Sequence, residues 1–245
     1  MLQSANAPAS SGTRPVSAGT PSIPAYLRDT YSWAYLHPRS IWLFEREWVV
    51  NLILWGNMRR LTDAVLEELD TAVPGPTLQV ACVYGAFSQR LASHQVVRDA
   101  GLDIVDVAPI QIRNARQKLA FESNVRFHVQ DSSALTFRDA SFGRTVVFFL
   151  LHEQPADVRR RTISEAIRVT RPGGKVIIVD YHAPLRGNPL RYLMRPVLRT
   201  LEPFALDLWR KPLVDMLPAQ TRVGRMDHRL YGGGLYQRLV LELAP

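Results

Sequence analysis

Four short apolar runs of this chain lead into side chains that can do chemistry. The run 102–107 carries Asp106, the run 125–130 is followed by Asp131 and Ser132, the run 145–151 by His152 and Glu153, and the run 175–180 ends in Asp180, two residues before His182. In a parallel α/β sheet ligands sit outside the carboxyl ends of the strands, so residues that end successive runs face one cleft. A carboxylate at Asp106, with Val107 beside it, can accept hydrogen bonds from both hydroxyls of a ribose. A side chain at Asp131 or Ser132 can meet an adenine amino group. Asp106 lies about 20 residues beyond Gly85, the separation that a nucleotide-binding βαβ unit requires. The two acids and Gly85 together define a candidate nucleoside site.

The first run, 78–83, leads through Gln79-Val80-Ala81-Cys82-Val83-Tyr84 to Gly85. Glycines after a first strand let the backbone approach a ligand, and the turn that binds S-adenosylmethionine (SAM) reads acid-x-Gly-x-Gly-x-Gly. Laid on that template, Gln79 takes the place of the acid, Ala81 and Val83 replace the first two glycines, and Gly85 alone keeps its identity. Gln79, Ala81, Tyr84 and Gly85 are the expected contacts of the turn with the ligand.

The elements that must position these residues follow from the alternation of apolar runs with helical patterns at 88–100, 109–119 and 155–169, which predicts βαβ units and a parallel sheet. Arg171-Pro172-Gly173-Gly174 stops the last helix. The expected fold class is therefore α/β, a class I SAM-dependent methyltransferase (Rossmann-like) fold with a parallel sheet. An antiparallel hairpin around three glycines closes it at 227–243. The expected organisation is a disordered tail over 1–25, a helical segment over 26–72 that Pro38 interrupts, and a SAM-binding domain over 73–245 with a helical lid at about 186–217. Trp33, Trp42, Trp48 and Trp55 fall in the helical segment. Such rings suit either a core or a ligand mouth or bilayer interface.

The 245 residues, 47% hydrophobic, fit one elaborated α/β domain better than two. A net charge of +8 suits either nucleic acid or an anionic membrane leaflet. Cys82 is the sole cysteine, which excludes an intramolecular disulfide, and a buried thiol is expected. No uninterrupted apolar stretch reaches the roughly 18 residues that a spanning helix needs. The tail lacks an apolar core segment and so is not a secretory signal; a weak organellar transit peptide is the alternative to plain disorder.

At the level of motifs, VYGAFSQRLA, DIVDVAPIQIRNARQKL, QDSSALTF, FFLLHEQPADVRRRT and the stretch from RPGGKVIIVDYHAPLRGN to LDLWR resemble the rhodoquinone biosynthesis protein (RquA) family, from about Gln79 onward. The altered turn and the HEQP and VDYH segments carry this resemblance; the strand pattern and Pro-Gly-Gly are shared with methyltransferases in general. The resemblance implies an enzyme that converts ubiquinone to rhodoquinone by replacing a ring methoxy with an amino group, with SAM as amino donor and a divalent metal, manganese, in support. Under that reading His152, Asp180 and His182 are the preferred metal set, since imidazole and hard oxygen donors suit manganese. Adjacent residues point apart, so His152 and Glu153 are not both expected as ligands. The alternative is that the histidines hydrogen-bond the quinone carbonyls or act as bases, His152 foremost. Tyr181 is expected to pack away from them.

Bulk at Val83 and Tyr84 either turns the amino group of SAM, instead of its methyl, toward the ring, or merely repacks the turn, with the orientation decided elsewhere. A lipid substrate also gives the basic charge and the Trp-rich and Arg-rich helices a common purpose at a membrane surface. It implies a cytoplasmic protein, peripherally associated with the inner membrane, and no nucleic-acid partner. Two other readings stay open: a conventional SAM-dependent methyltransferase acting on a quinone or phenolic lipid, and a non-catalytic nucleotide- or RNA-binding protein, for which no aromatic-plus-basic motif speaks.

Overall fold

The computed structural model describes residues 21–69 and 73–245; most of the expected tail lies outside the described residues. Seven strands form one sheet in the order β3-β2-β1-β4-β5-β7-β6. β1 (Thr77–Val80), β2 (Leu102–Asp106), β3 (Val125–Val129), β4 (Phe142–Phe148) and β5 (Thr170–Tyr181) run parallel. β6 (Val223–Tyr231) and β7 (Tyr236–Leu243) form the expected hairpin, with β7 antiparallel to β5. Helices cover both faces, which is why β4 and the C-terminal half of β5 read as unbroken apolar runs: Val146, Val147, Ile177 and Ile178 are wholly buried.

Five short helices precede the sheet: α1 (Ala25–Thr30), α2 (Ser32–Tyr35), α3 (Pro38–Phe44), α4 (Glu47–Ile53) and α5 (Met58–Leu66). Between strands lie α6 (Phe87–Ser93), α7 (Gln95–Ala100), α8 (Pro109–Lys118) and α9 (Ala156–Val169), and between β5 and β6 lie α10 (Leu190–Leu201) and α11 (Ala205–Arg210). Pro38 opens α3 at its first position, where a missing N–H is harmless, instead of breaking a longer helix. The buried Arg238 of β7 donates to the Ala64 carbonyl of α5 and pairs with Glu68 at 2.9 Å and with Asp227, so the helical segment is fastened to the hairpin edge.

Several boundaries differ from expectation, among them the first strand, which ends at Val80 and not Val83. The helix expected over 88–100 divides at His94, whose ψ of 133° is extended. The fourth strand stops at Phe148, because Phe149 takes a left-handed φ of 52° and Leu151–Glu153 coil into a tight 3-10 turn. That turn swings His152 and Glu153 off the strand axis. The fifth strand begins at Thr170, so Pro-Gly-Gly lies within it, beside a register shift between Phe142 and Arg144. A side chain at Gly174 would come within 2.7 Å of the Gly143 carbonyl, which explains the glycine there.

Candidate active site

A cavity of about 520 Å³ opens beyond the carboxyl ends of β1, β2, β4 and β5 and is roofed by the N-terminal helices and α10. Its polar groups gather at two ends.

At one end stand Asp106, Val107, Asp131 and Ser132, all on the cavity wall. The Cys82 and Ala108 N–H groups each donate to a different oxygen of Asp106, at 2.8 Å. Burial pushes the Asp106 carboxyl up to about 6, although these two hydrogen bonds favour its charged form. Asp131 accepts the Ser133 N–H at 2.8 Å. Ser132 accepts the Gln154 amide at 2.9 Å and lies 3.1 Å from the Thr162 hydroxyl. Tyr26, from α1, closes this end, and burial together with the Asp131 charge raises its phenol. Cys82 lines the cavity half-buried, not deep in the core, and burial raises its thiol.

The turn after β1 keeps glycine-like backbone where the template has its first and third glycines: Ala81 and Gly85 both have φ of 74°. Ala81, Val83 and Tyr84 face the cavity. Gln79 and Gly85 do not reach it. The Gln79 amide is turned inward and donates at 2.9 Å to the Ala81 carbonyl and the Ser88 hydroxyl, so it braces the turn from behind. The Gly85 N–H donates to Glu45 at 3.3 Å. The Tyr84 hydroxyl donates to the Ala34 carbonyl at 2.9 Å and accepts the Gln111 amide at 2.7 Å, and its ring stacks on Phe44 at 5.7 Å.

At the other end the wholly buried Asp180 carboxylate accepts the N–H groups of Leu151 (2.8 Å), His152 (3.3 Å) and Tyr181 (2.7 Å), and meets His152 Nδ1 at 2.9 Å. Burial alone would depress the His152 imidazole. The Asp180 charge and hydrogen bond, with Glu202 and Glu153 adding, outweigh it and hold the ring at about 9, so it is cationic at neutral pH. Its Nε2 lies 3.7 Å from Glu153 and 3.9 Å from Glu202. Tyr181 does not pack away: its ring stands edge-on to His152 at 4.9 Å and lines the cavity with Phe149.

The preferred metal set is not brought together. His182 Nδ1 lies 2.9 Å from the Gly234 carbonyl, and its ring packs against His228 at 5.9 Å. Asp180 is saturated by its four partners. Among the described residues no group of three or more His, Cys, Asp or Glu converges as a metal site. These residues therefore do not fit manganese in the expected way.

Comparison with known proteins agrees with this architecture. Residues 77–174 match the family model for a methyltransferase domain. The chain is 32% identical over 148 residues to 2-methyl-6-phytyl-1,4-hydroquinone methyltransferase of Synechocystis sp., a match covering 59% of this chain and 43% of that protein. It is 31% identical over 153 residues to demethylmenaquinone methyltransferase of Renibacterium salmoninarum, covering 59% of each. The chain thus spans about half the length of the curated relatives it matches. The N-methyltransferase NodS of Bradyrhizobium japonicum, solved with S-adenosyl-L-homocysteine, superposes with a TM-score of 0.54 at 16% identity over 76% of this chain and 87% of that one. This chain has the class I methyltransferase fold. Asp106 ends β2 and Asp180 lies one residue before the end of β5, while His152 stands in the 3-10 turn after β4.

Sequence reasoning missed the residues that arrive from other elements: Tyr26, Glu45, Lys118 and Glu202. One signal was present for Lys118. Gln111, Asn114 and Lys118 recur at helical spacing on α8 and form a polar stripe that faces the turn after β1.

Proposed function

We propose that this chain is a SAM-dependent transferase that acts on the ring of a lipid quinone or phenol. One observation carries the reading: a single cavity joins the Asp106–Asp131 end, suited to an adenosyl group, to the His152 end, walled by Phe149 and Tyr181. In this reading Asp106 receives the ribose hydroxyls, Asp131 and Ser132 meet the adenine, and Ala81, Val83 and Tyr84 bound the methionine portion. A planar ring lies against the aromatic wall. His152, held cationic by Asp180, donates from Nε2 to a ring oxygen and stabilises negative charge that develops there.

Methyl transfer is the reading that the relatives favour, since two of them are named as quinone-pathway methyltransferases. A second reading, replacement of a ubiquinone methoxy by the SAM-derived amino group to give rhodoquinone, is favoured by a specific feature. Val83 puts bulk where the template has its second glycine, with the Tyr84 ring beside it, and a cationic His152 suits activation of a quinone carbonyl. Peripheral association with the cytoplasmic face of a membrane belongs to both readings.

Incubation with SAM labelled with nitrogen-15 at the amine and carbon-13 at the methyl, followed by mass analysis of the quinone, separates them. A carbon-13 label marks methyl transfer and a nitrogen-15 label marks amination. A quinone with neither label, across oxidised and reduced substrates, contradicts both.

A further inference from the structure

The mouth of the cavity is apolar on its outside as well as its inside. Trp33, Leu52 and Ile53 from the N-terminal helices, Trp55 in the turn after α4, and Val197 and Leu201 from α10 line the cavity and are also exposed to solvent. The two walls are joined where Trp55 Nε1 donates to Met194 Sδ at 3.1 Å. Trp42 on α3 and Trp48 on α4, 64% and 63% exposed, add large apolar side chains from the same helical segment without lining the cavity.

The pattern of α10 is that of a helix half-sunk in an interface. Leu193, Val197 and Leu201 fall at i, i+4 and i+8 as an exposed stripe beside the buried Met194 and Leu198, while Arg191, Arg195 and Arg199 form the adjoining stripe. Charge on the opposite wall agrees. Arg39 and Arg46 are exposed beside the tryptophans, and the Arg46 guanidinium sits 4.0 Å over the Trp42 ring. α3 and α10 hold no acidic residue, and α4 holds Glu47 alone. An apolar rim flanked by arginines matches the acyl boundary and anionic headgroups of a bilayer leaflet.

We propose that this face docks on an anionic phospholipid bilayer, with the cavity mouth opening directly into the leaflet so that a lipid-borne ring enters without crossing water. The inference deepens the proposed function by stating how its substrate class arrives, and it rests on that reading only for the identity of the entering molecule. Docking itself is independent of the reaction.

The test uses the full chain without SAM or quinone, sedimented with vesicles of phosphatidylcholine alone and with vesicles containing a quarter phosphatidylglycerol. The chain partitions onto the anionic vesicles, and Trp42→Glu/Trp48→Glu lowers the partition coefficient by about tenfold or more while SAM binding is kept. Arg195→Glu/Arg199→Glu abolishes the preference for the anionic vesicles. Should either variant fail to fold, quenching of wild-type tryptophan fluorescence by lipids brominated near the headgroup gives the same answer. Absence of partitioning, absence of quenching, or equal partitioning of wild type and folded variants overturns the proposal. So does lipid-free dimerisation that the tryptophan substitutions abolish, since the face then belongs to a second copy of this chain.

Discussion

The Lys118 ammonium lies 2.8 Å from the Glu45 carboxylate and donates at 2.9 Å to the carbonyls of both Val83 and Gly85. A residue at the end of α8 and one just past α3 thereby fix, together, the backbone of the turn after β1. Glu45 also takes the Asn114 amide at 2.6 Å, so its charge is fully engaged.

Because both side chains are mostly buried, removing one leaves the other charge desolvated. Lys118→Met lowers stability by about 3 kcal/mol, the low end for breaking a buried pair, and weakens SAM binding through the freed turn. The double variant Lys118→Met/Glu45→Met recovers most of the loss. Denaturant unfolding of the two variants checks this; additive losses contradict it.

Ala81 offers a test of opposite sign. An alanine in the left-handed region is strained by about 1 kcal/mol, which glycine relieves, against about 0.5–1 kcal/mol of extra chain entropy lost on folding. Ala81→Gly is therefore neutral or stabilising by up to about 0.5 kcal/mol. A loss of that size in thermal unfolding contradicts the backbone geometry.

Asp180 does not line the cavity itself and reaches it through His152 and Tyr181. Asp180→Asn removes the charge that holds the imidazole cationic and leaves one acceptor oxygen where two received four hydrogen bonds. The catalytic rate falls by about 10²–10⁴-fold, and the affinity for SAM stays within about twofold because the adenosyl end is untouched. Parallel loss of SAM binding in calorimetry contradicts this division of labour.

Much of the fold was legible because its signals are local. Strand ends at Asp106 and Asp180 follow from apolar runs bounded by helical patterns, and the hairpin follows from Gly232, Gly233 and Gly234, each with positive φ. The break at His94 carries no glycine or proline, and the stretch through Pro172 bridges an irregularity between the pairs Phe142–Thr170 and Arg144–Lys175, which the local sequence does not announce. His182 looked equivalent to His152 because each follows the end of an apolar run. It is separated from it by one hydrogen bond to Gly234, a contact that only the returning hairpin creates. Tyr26 and Glu202 reach the cavity from helices far apart in the chain, and nothing in their neighbours marks them.

The central claim is that the Asp106 carboxylate holds an adenosyl group at one end of the cavity. Ribose hydroxyls donate to the ionised form, so binding draws the Asp106 pKa below its ligand-free value of about 6. Affinity is then full above that pH and declines as pH falls through it. Calorimetric titration with S-adenosyl-L-homocysteine at about pH 7.5 and about pH 5, on wild type and Asp106→Asn, measures this directly. The expected result is tight binding at the higher pH, weakening at the lower, and a loss of about 10- to 100-fold in the variant with the pH dependence gone. No binding by the wild type, or a variant that binds equally well, contradicts it.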